Sequence, residues 1–264
     1  MKIKFFIKNK LEKYPQIVNF LLKNIKYFSF LLPHEKDYMS LNLIFKNKSK
    51  NGDIIDVGAN YGQSAMSFRK LGFINNRIFL FEPIKELKEY LIKLNDNNFF
   101  VYNYGLGNTN KVKNLYKAKV NNKDILQISS ISKKLLLKQI KKQFKFTKDK
   151  ILIKYEKIRI RRLDSLNLKI KPILVKIDVE GNEYQVLSGM KHVINMYLPV
   201  LILEFNKSNF TDIYELLSKK YDCYIYFNNL NKLKKYKKND TIKFFKNSMF
   251  YDYNQPRNII FIKK

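Results

Sequence analysis

One cysteine, Cys223, is too few for an internal disulfide or a thiolate zinc site, so a disulfide scaffold and a sulfur-ligated metal are both excluded. That scarcity points to a reducing compartment, and the expected location is the cytoplasm. No apolar run reaches the roughly twenty residues of a membrane span. The nearest approach, within residues 1–26, is interrupted by Asn19, Lys23, Asn24 and Lys26, and no small-residue cleavage site follows it. Histidine is also scarce. His34 precedes the patterned part of the chain and His192 falls late in an expected helix, so neither is a candidate base. Acidic residues number 22 against 52 Lys and Arg, a net charge of +30.

What remains suits a single globular domain. Hydrophobic residues make up 45% and charged residues 28% of 264 residues, which excludes disorder and gives one domain enough material for a full core. The charge does not by itself specify a partner. Arginine is confined to Arg69, Arg77, Arg159, Arg161, Arg162 and Arg257, whereas phosphate and base recognition favours the guanidinium fork. The excess of Lys with Asn, Ile, Phe and Tyr is what an A/T-rich coding sequence produces. Attraction to anionic lipid, glycan or nucleic acid is the alternative reading, and the basic N-terminal segment reads as a helical cap or as an amphipathic helix resting on anionic lipid.

From Gly52 onward, short apolar runs end in turn residues and lead into amphipathic stretches. Strands are expected at residues 53–57, 77–81, 99–104, 173–177 and 200–205, with helices at 63–71, 83–94, 183–193 and 210–221. This alternation implies a mostly parallel sheet with helices on both faces, closed by an antiparallel pair from 223–227 and 258–262. Residues 111–150 break the pattern. They read as a Lys-rich insertion around a helix at 133–144, placed to lid a site, and the run 232–238 reads as a solvated loop.

Two segments carry chemistry. Asp56 to Ser64 leaves a strand, turns on Gly58 and Gly62 and enters a helix, so that backbone N–H groups can approach a ligand closely. About twenty residues after Gly62, the next strand ends in Glu82, the spacing at which a carboxylate takes both ribose hydroxyls. Asn60 stands where a dinucleotide fingerprint needs its second glycine, and no Lys-Ser/Thr ends the loop, so NAD and nucleoside triphosphates fit poorly. S-adenosylmethionine fits better, because its amine and sulfonium seek carboxylates and carbonyls. The second segment runs from Lys176 to Glu183. It brings Asp178 and Glu180 to the sheet's carboxyl edge beside Glu204 of the neighbouring strand, while Glu183 reads as a helix N-terminal charge. Asp178, Glu180 and Glu204 are the catalytic candidates: one as general base, Glu204 orienting the acceptor, or all three holding a divalent cation. Capping, or pairing with Lys176, is the purely structural alternative for the first two.

The stretches Ile55–Ser64, Phe81–Pro83, Arg162–Leu166 and Val175–Gly189 resemble the FkbM family of S-adenosylmethionine-dependent methyltransferases, in the right order, over residues 54–206. The resemblance implies a class I methyltransferase Rossmann-like fold with seven strands and O-methylation of a sugar or polyketide hydroxyl. It also implies cofactor contacts from Asp56, Gly58, Ala59, Asn60, Gly62, Ser64, Glu82, Pro83 and Asn108. Tyr104 to Asn108 departs from the family, which often has Ala and an acidic or small residue there. The expected division is a cap at 1–50 and a methyltransferase domain at 51–264, with a small-molecule or glycan acceptor. An RNA-binding protein or RNA methyltransferase, and a noncatalytic scaffold at a membrane surface, are the competing readings; the absence of an Asn/Asp-Pro-Pro-aromatic strand end speaks against base methylation.

Overall fold

The computed structural model describes residues 35–120, 123–143, 151–247 and 256–264; most of the expected N-terminal cap, residues 1–34, lies outside these, as does His34. In chain order, α1 (Ser40–Ile44) precedes β1 (Asp53–Val57), α2 (Gln63–Lys70), β2 (Ile78–Phe81), α3 (Lys85–Lys93) and β3 (Phe99–Tyr102). Then come β4 (Gly105–Leu106), β5 (Lys111–Val120), β6 (Lys123–Ser130), α4 (Lys133–Gln143) and β7 (Ile151–Arg161). The alternation resumes with β8 (Pro172–Ile177), α5 (Glu183–Ser188), α6 (Lys191–Tyr197), β9 (Val200–Glu204) and α7 (Phe210–Leu217). The closing elements are β10 (Tyr221–Phe227), β11 (Lys232–Tyr236), α8 (Lys238–Asn247) and β12 (Asn258–Lys263).

The large sheet has the order β11-β10-β12-β9-β8-β1-β2-β3. Its pairs from β9 through β3 are parallel, and those joining β9, β12, β10 and β11 are antiparallel. It is therefore an eight-stranded mixed sheet, not the seven-stranded, mostly parallel one expected. The added member is β11, which replaces the solvated loop expected at 232–238. Its lysines 232, 234 and 235 are exposed, while Leu233 and Tyr236 pack against the core. A Lys-studded edge strand gains one row of hydrogen bonds and discourages a further strand from adding to it.

The side-chain alternation of the strands divides the core in two. Ile55, Val57, Val175, Ile177, Leu201 and Leu203 pack with α5, α6, α7 and Phe245 of α8. Ile54, Ile78, Leu80, Leu174 and Ile202 face the other way, onto α1, α2 and α3. Helices thus cover both faces, as the buried runs require. The expected helix at 183–193 is two helices. A Cβ on Gly189 would lie 1.8 Å from the Gly107 carbonyl oxygen, so the chain turns at Gly189 where it meets that backbone. The carboxylate of Asp164 accepts hydrogen bonds from the His192 and Val193 N–H groups (3.0 and 3.2 Å), opening α6 there and leaving His192 exposed near its start.

The expected insertion is chiefly sheet. Strands β4-β7-β5-β6 form a second, four-stranded sheet with α4 packed on part of one face through Leu136 and Ile140 against Ala118. Leu115, Ile158 and Ile160 dock its other face on Tyr61, Ile84 and Leu87. Its lysines alternate with apolar residues at the period of a strand, a pattern that the high Lys content conceals.

Candidate active site

The carboxyl ends of β1, β2 and β8 open into a cavity whose remaining wall comes from the small sheet. After β1, Gly58 adopts φ +76°, and a Cβ there would lie 1.9 Å from the Asp178 carbonyl oxygen, so only glycine lets the two loops meet. Asn60 is also left-handed (φ +51°), and Gly62 (φ +82°) starts α2. The Gly58 and Ala59 N–H groups donate to the Phe81 carbonyl at 3.0 and 3.3 Å, holding the loop over β2.

Glu82 lies on the cavity wall, almost fully buried. Its Oε2 accepts the Asn60 N–H at 3.0 Å and its Oε1 the Ile84 N–H at 2.9 Å. Burial nevertheless raises its pKa to about 7, with the two amide hydrogen bonds pulling the other way. The Asn103 side-chain amide donates to the carbonyls of Glu82 and Pro83 (3.1 and 3.0 Å), fixing the turn.

Asp56 is fully buried beneath this loop and faces Lys176, whose Nζ stands 3.2 Å from Asp56 Oδ1, donates to the Gly58 carbonyl at 2.9 Å and lies 3.7 Å from Asp178 Oδ2. Burial raises the Asp56 carboxyl against the pull of Lys176. Burial pulls the Lys176 ammonium down, but Asp56 and Asp178 outweigh it, and the net shift is upward. The cation that Asp56 meets is thus supplied by the chain itself. The sequence marks Lys176 only as a pairing partner; its bridging of the two loops follows from the period of two that sets Lys176 and Asp178 on one side of the chain.

After β8, Glu180 (φ +54°) and Gly181 (φ +95°) reverse the chain into α5. Buried Glu183 locks this turn, accepting the Gly181 N–H at 2.9 Å and the Asn209 amide at 2.6 Å. Asp178 and Glu180 line the cavity, and carboxylate oxygens of Asp178, Glu180 and Glu204 lie within 4.8 Å of one another. Glu204 stands behind the cavity lining. Burial, and then the charges of Asp178 and Glu180, hold its pKa well above the ordinary carboxylate range.

Of the nine expected cofactor residues, Gly58, Asn60, Glu82 and Pro83 line the cavity. Asp56, Ala59, Gly62 and Ser64 build the loop from beneath, with Ser64 receiving the Tyr38 hydroxyl at 3.5 Å. Asn108 is not brought to the site: it is exposed and sits beside Gly189. Sequence reasoning does not single out the apolar wall of Leu106, Leu115, Ile158 and Ile160, nor Ile131, which closes the cavity with Ser129 and Ser130. Those residues come from the unit without a legible motif.

A glycine turn after β1, an acid ending β2 and a cavity at the strands' carboxyl ends define a Rossmann-like α/β protein with its candidate site at the sheet's carboxyl edge. Residues 56–223 match the family model described as the Methyltransferase FkbM domain, and the chain belongs to that family of methyltransferases. Among solved structures, an FkbM methyltransferase from Methylobacillus flagellatus KT shares the fold at TM-score 0.52 and 14% identity. That match covers 89% of this chain and half the length of the other. A precorrin-6y C5,15-methyltransferase from Geobacter metallireducens GS-15 matches at TM-score 0.40 and 12% identity, over 88% of this chain and 90% of that one. A fibrillarin/Nop5p complex matches at TM-score 0.40 and 11% identity, over 87% and 79% respectively. No curated protein matches the chain.

Proposed function

We propose that the protein transfers a methyl group from S-adenosylmethionine to a hydroxyl of a sugar, glycan or related small molecule. One observation carries the reading: a single cavity joins the Gly58–Asn60 turn and Glu82 to Asp178 and Glu180. The residues present fit the donor. A carboxylate offers four acceptor positions, and two on Glu82 are taken by backbone amides, which leaves one on each oxygen for a ribose diol. Phe81, Pro83, Leu106 and Ile160 form an apolar slot beside it that suits a purine face.

When bound, S-adenosylmethionine supplies an electrophilic methyl on a positively charged sulfur. A sugar hydroxyl attacks poorly until its proton is shared, and Asp178 or Glu180 stands at the cavity wall to accept it. Glu204, biased toward its protonated form and within 4.8 Å of Asp178 and Glu180, orients the acceptor through them, donating a hydrogen bond to the carboxylate that serves as base. The convergence of the three carboxylates within 4.8 Å also favours a second reading, a divalent cation that binds the hydroxyl and lowers its pKa. Loss of turnover in EDTA, restored by added cation, selects that reading.

Calorimetry with S-adenosylhomocysteine is expected to show one site. Asp178→Asn or Glu180→Gln is expected to lower turnover by about 10²- to 10⁴-fold with that affinity retained. If both variants keep full turnover, the base assignment fails; if the nucleoside does not bind, the donor assignment fails. Mass spectrometry of cell-surface glycans with and without the protein identifies the acceptor.

A further inference from the structure

The chain's charge is unevenly distributed. Residues 105–161, which contain the small sheet and α4, carry seventeen basic residues against three acidic ones, a net +14 of the whole chain's +30 from about a fifth of its length. A coding bias would spread lysine along the chain, so the concentration needs a cause of its own. The one acid of β7, Glu156, is already engaged by Lys117 at 2.9 Å on the cavity-facing side.

The same unit holds five of the eleven large apolar side chains that are exposed among the described residues: Val112, Leu135, Leu137, Leu152 and Tyr155. On the face of the small sheet turned away from the cavity, Val112 stands opposite Arg159 and Tyr116 opposite Tyr155, with Lys157 between the arginine and the tyrosine. Tyr155 is 64% and Val112 60% exposed, although α4 covers the same face further along. Leu152, also exposed near the start of β7, lies on the other side of that strand, the side of Glu156.

Exposed aliphatic and aromatic tips set among cations, with no carboxylate among the described residues of that face, match the interface of an anionic bilayer. There lysines and arginines meet headgroup charge and the apolar tips enter the acyl boundary. A polyanion in water would use the cations and leave Val112 without a partner. We propose that this unit docks the protein on an anionic membrane surface. The docking does not depend on methyl transfer.

The test is co-sedimentation of the full chain with vesicles of pure phosphatidylcholine or of phosphatidylcholine with about 30 mol% phosphatidylglycerol, without methyl donor. Retention on the anionic vesicles alone is expected, weakened by raising the salt, because charge attraction is screened beyond about 10 Å at 0.1 M. The pair Val112→Glu and Tyr155→Glu should lower the partition coefficient at least tenfold. The charge-matched pair Ile74→Glu and Ile92→Glu, exposed elsewhere, should leave it within twofold. Equal loss in both pairs, no anionic retention at 0.1 M salt, or retention by single-stranded RNA but not by vesicles would overturn the proposal. Calorimetry with S-adenosylhomocysteine separates that failure from a failure of the enzymatic reading.

Discussion

At the scale of single residues, the site is governed by how its buried charges are held. Glu82 has a folded-state pKa of about 7, raised from 4.5 chiefly by burial. A ribose diol donates to the charged carboxylate, so binding favours ionisation and must compete with a proton below that value. Affinity for S-adenosylhomocysteine is therefore expected to rise as pH increases from about 6 to about 8, and calorimetry at the two pH values measures it. Glu82→Gln should bind more weakly and lose the dependence, because its amide NH₂ would confront a backbone N–H.

Lys176 gives a sharper stability prediction. Lys176→Met leaves Asp56 buried without its cation, a loss of about 3–5 kcal/mol by analogy with other broken buried pairs. The sign with pH follows from Asp56. Its folded pKa, already raised by burial, climbs further in the variant, so the deficit is full above that pKa and shrinks as pH falls toward the ordinary carboxylate range. Urea titrations at pH 8 and pH 5 should show the gap between variant and parent narrowing in acid.

At the scale of elements, the Arg162–Leu166 motif acquires a physical role. Asp164 caps α6 through two N–H groups, and its own N–H donates to the Gly189 carbonyl at 3.1 Å. Asp164→Ala is expected to cost about 0.5–2 kcal/mol with little change in methyl transfer, checked by thermal melting beside a turnover assay. The elements legible in the sequence are those with one dominant signal. DIIDV is buried at all five positions and reads as a central strand; the turn at Gly58 and the acid at Glu82 follow from their place after such strands. Elements with two competing signals escape a local reading. In KVKNLYKAKV the lysines mask an alternation that puts Leu115 in the cavity wall, and KLKKY looks like a loop until its edge position is known. The break at Gly189 depends on a backbone about eighty residues away, which no local pattern announces. Asn108 lies off the site because the same contact draws its backbone toward Gly189.

At the scale of the whole molecule, β12 follows every other described strand along the chain, yet it sits between β9 and β10. Synthesis from the N-terminus completes Val200–Glu204 and Tyr221–Phe227 well before Asn258–Lys263 exists to join them. During that interval the free edge of β9 presents the apolar run Val200–Leu203 as an open template for stray strands. Asp37 bears on how the gap closes: its Oδ2 accepts the N–H groups of Arg257 and Asn258, each at 2.8 Å, so a residue made early forms the receptor into which the late strand is threaded.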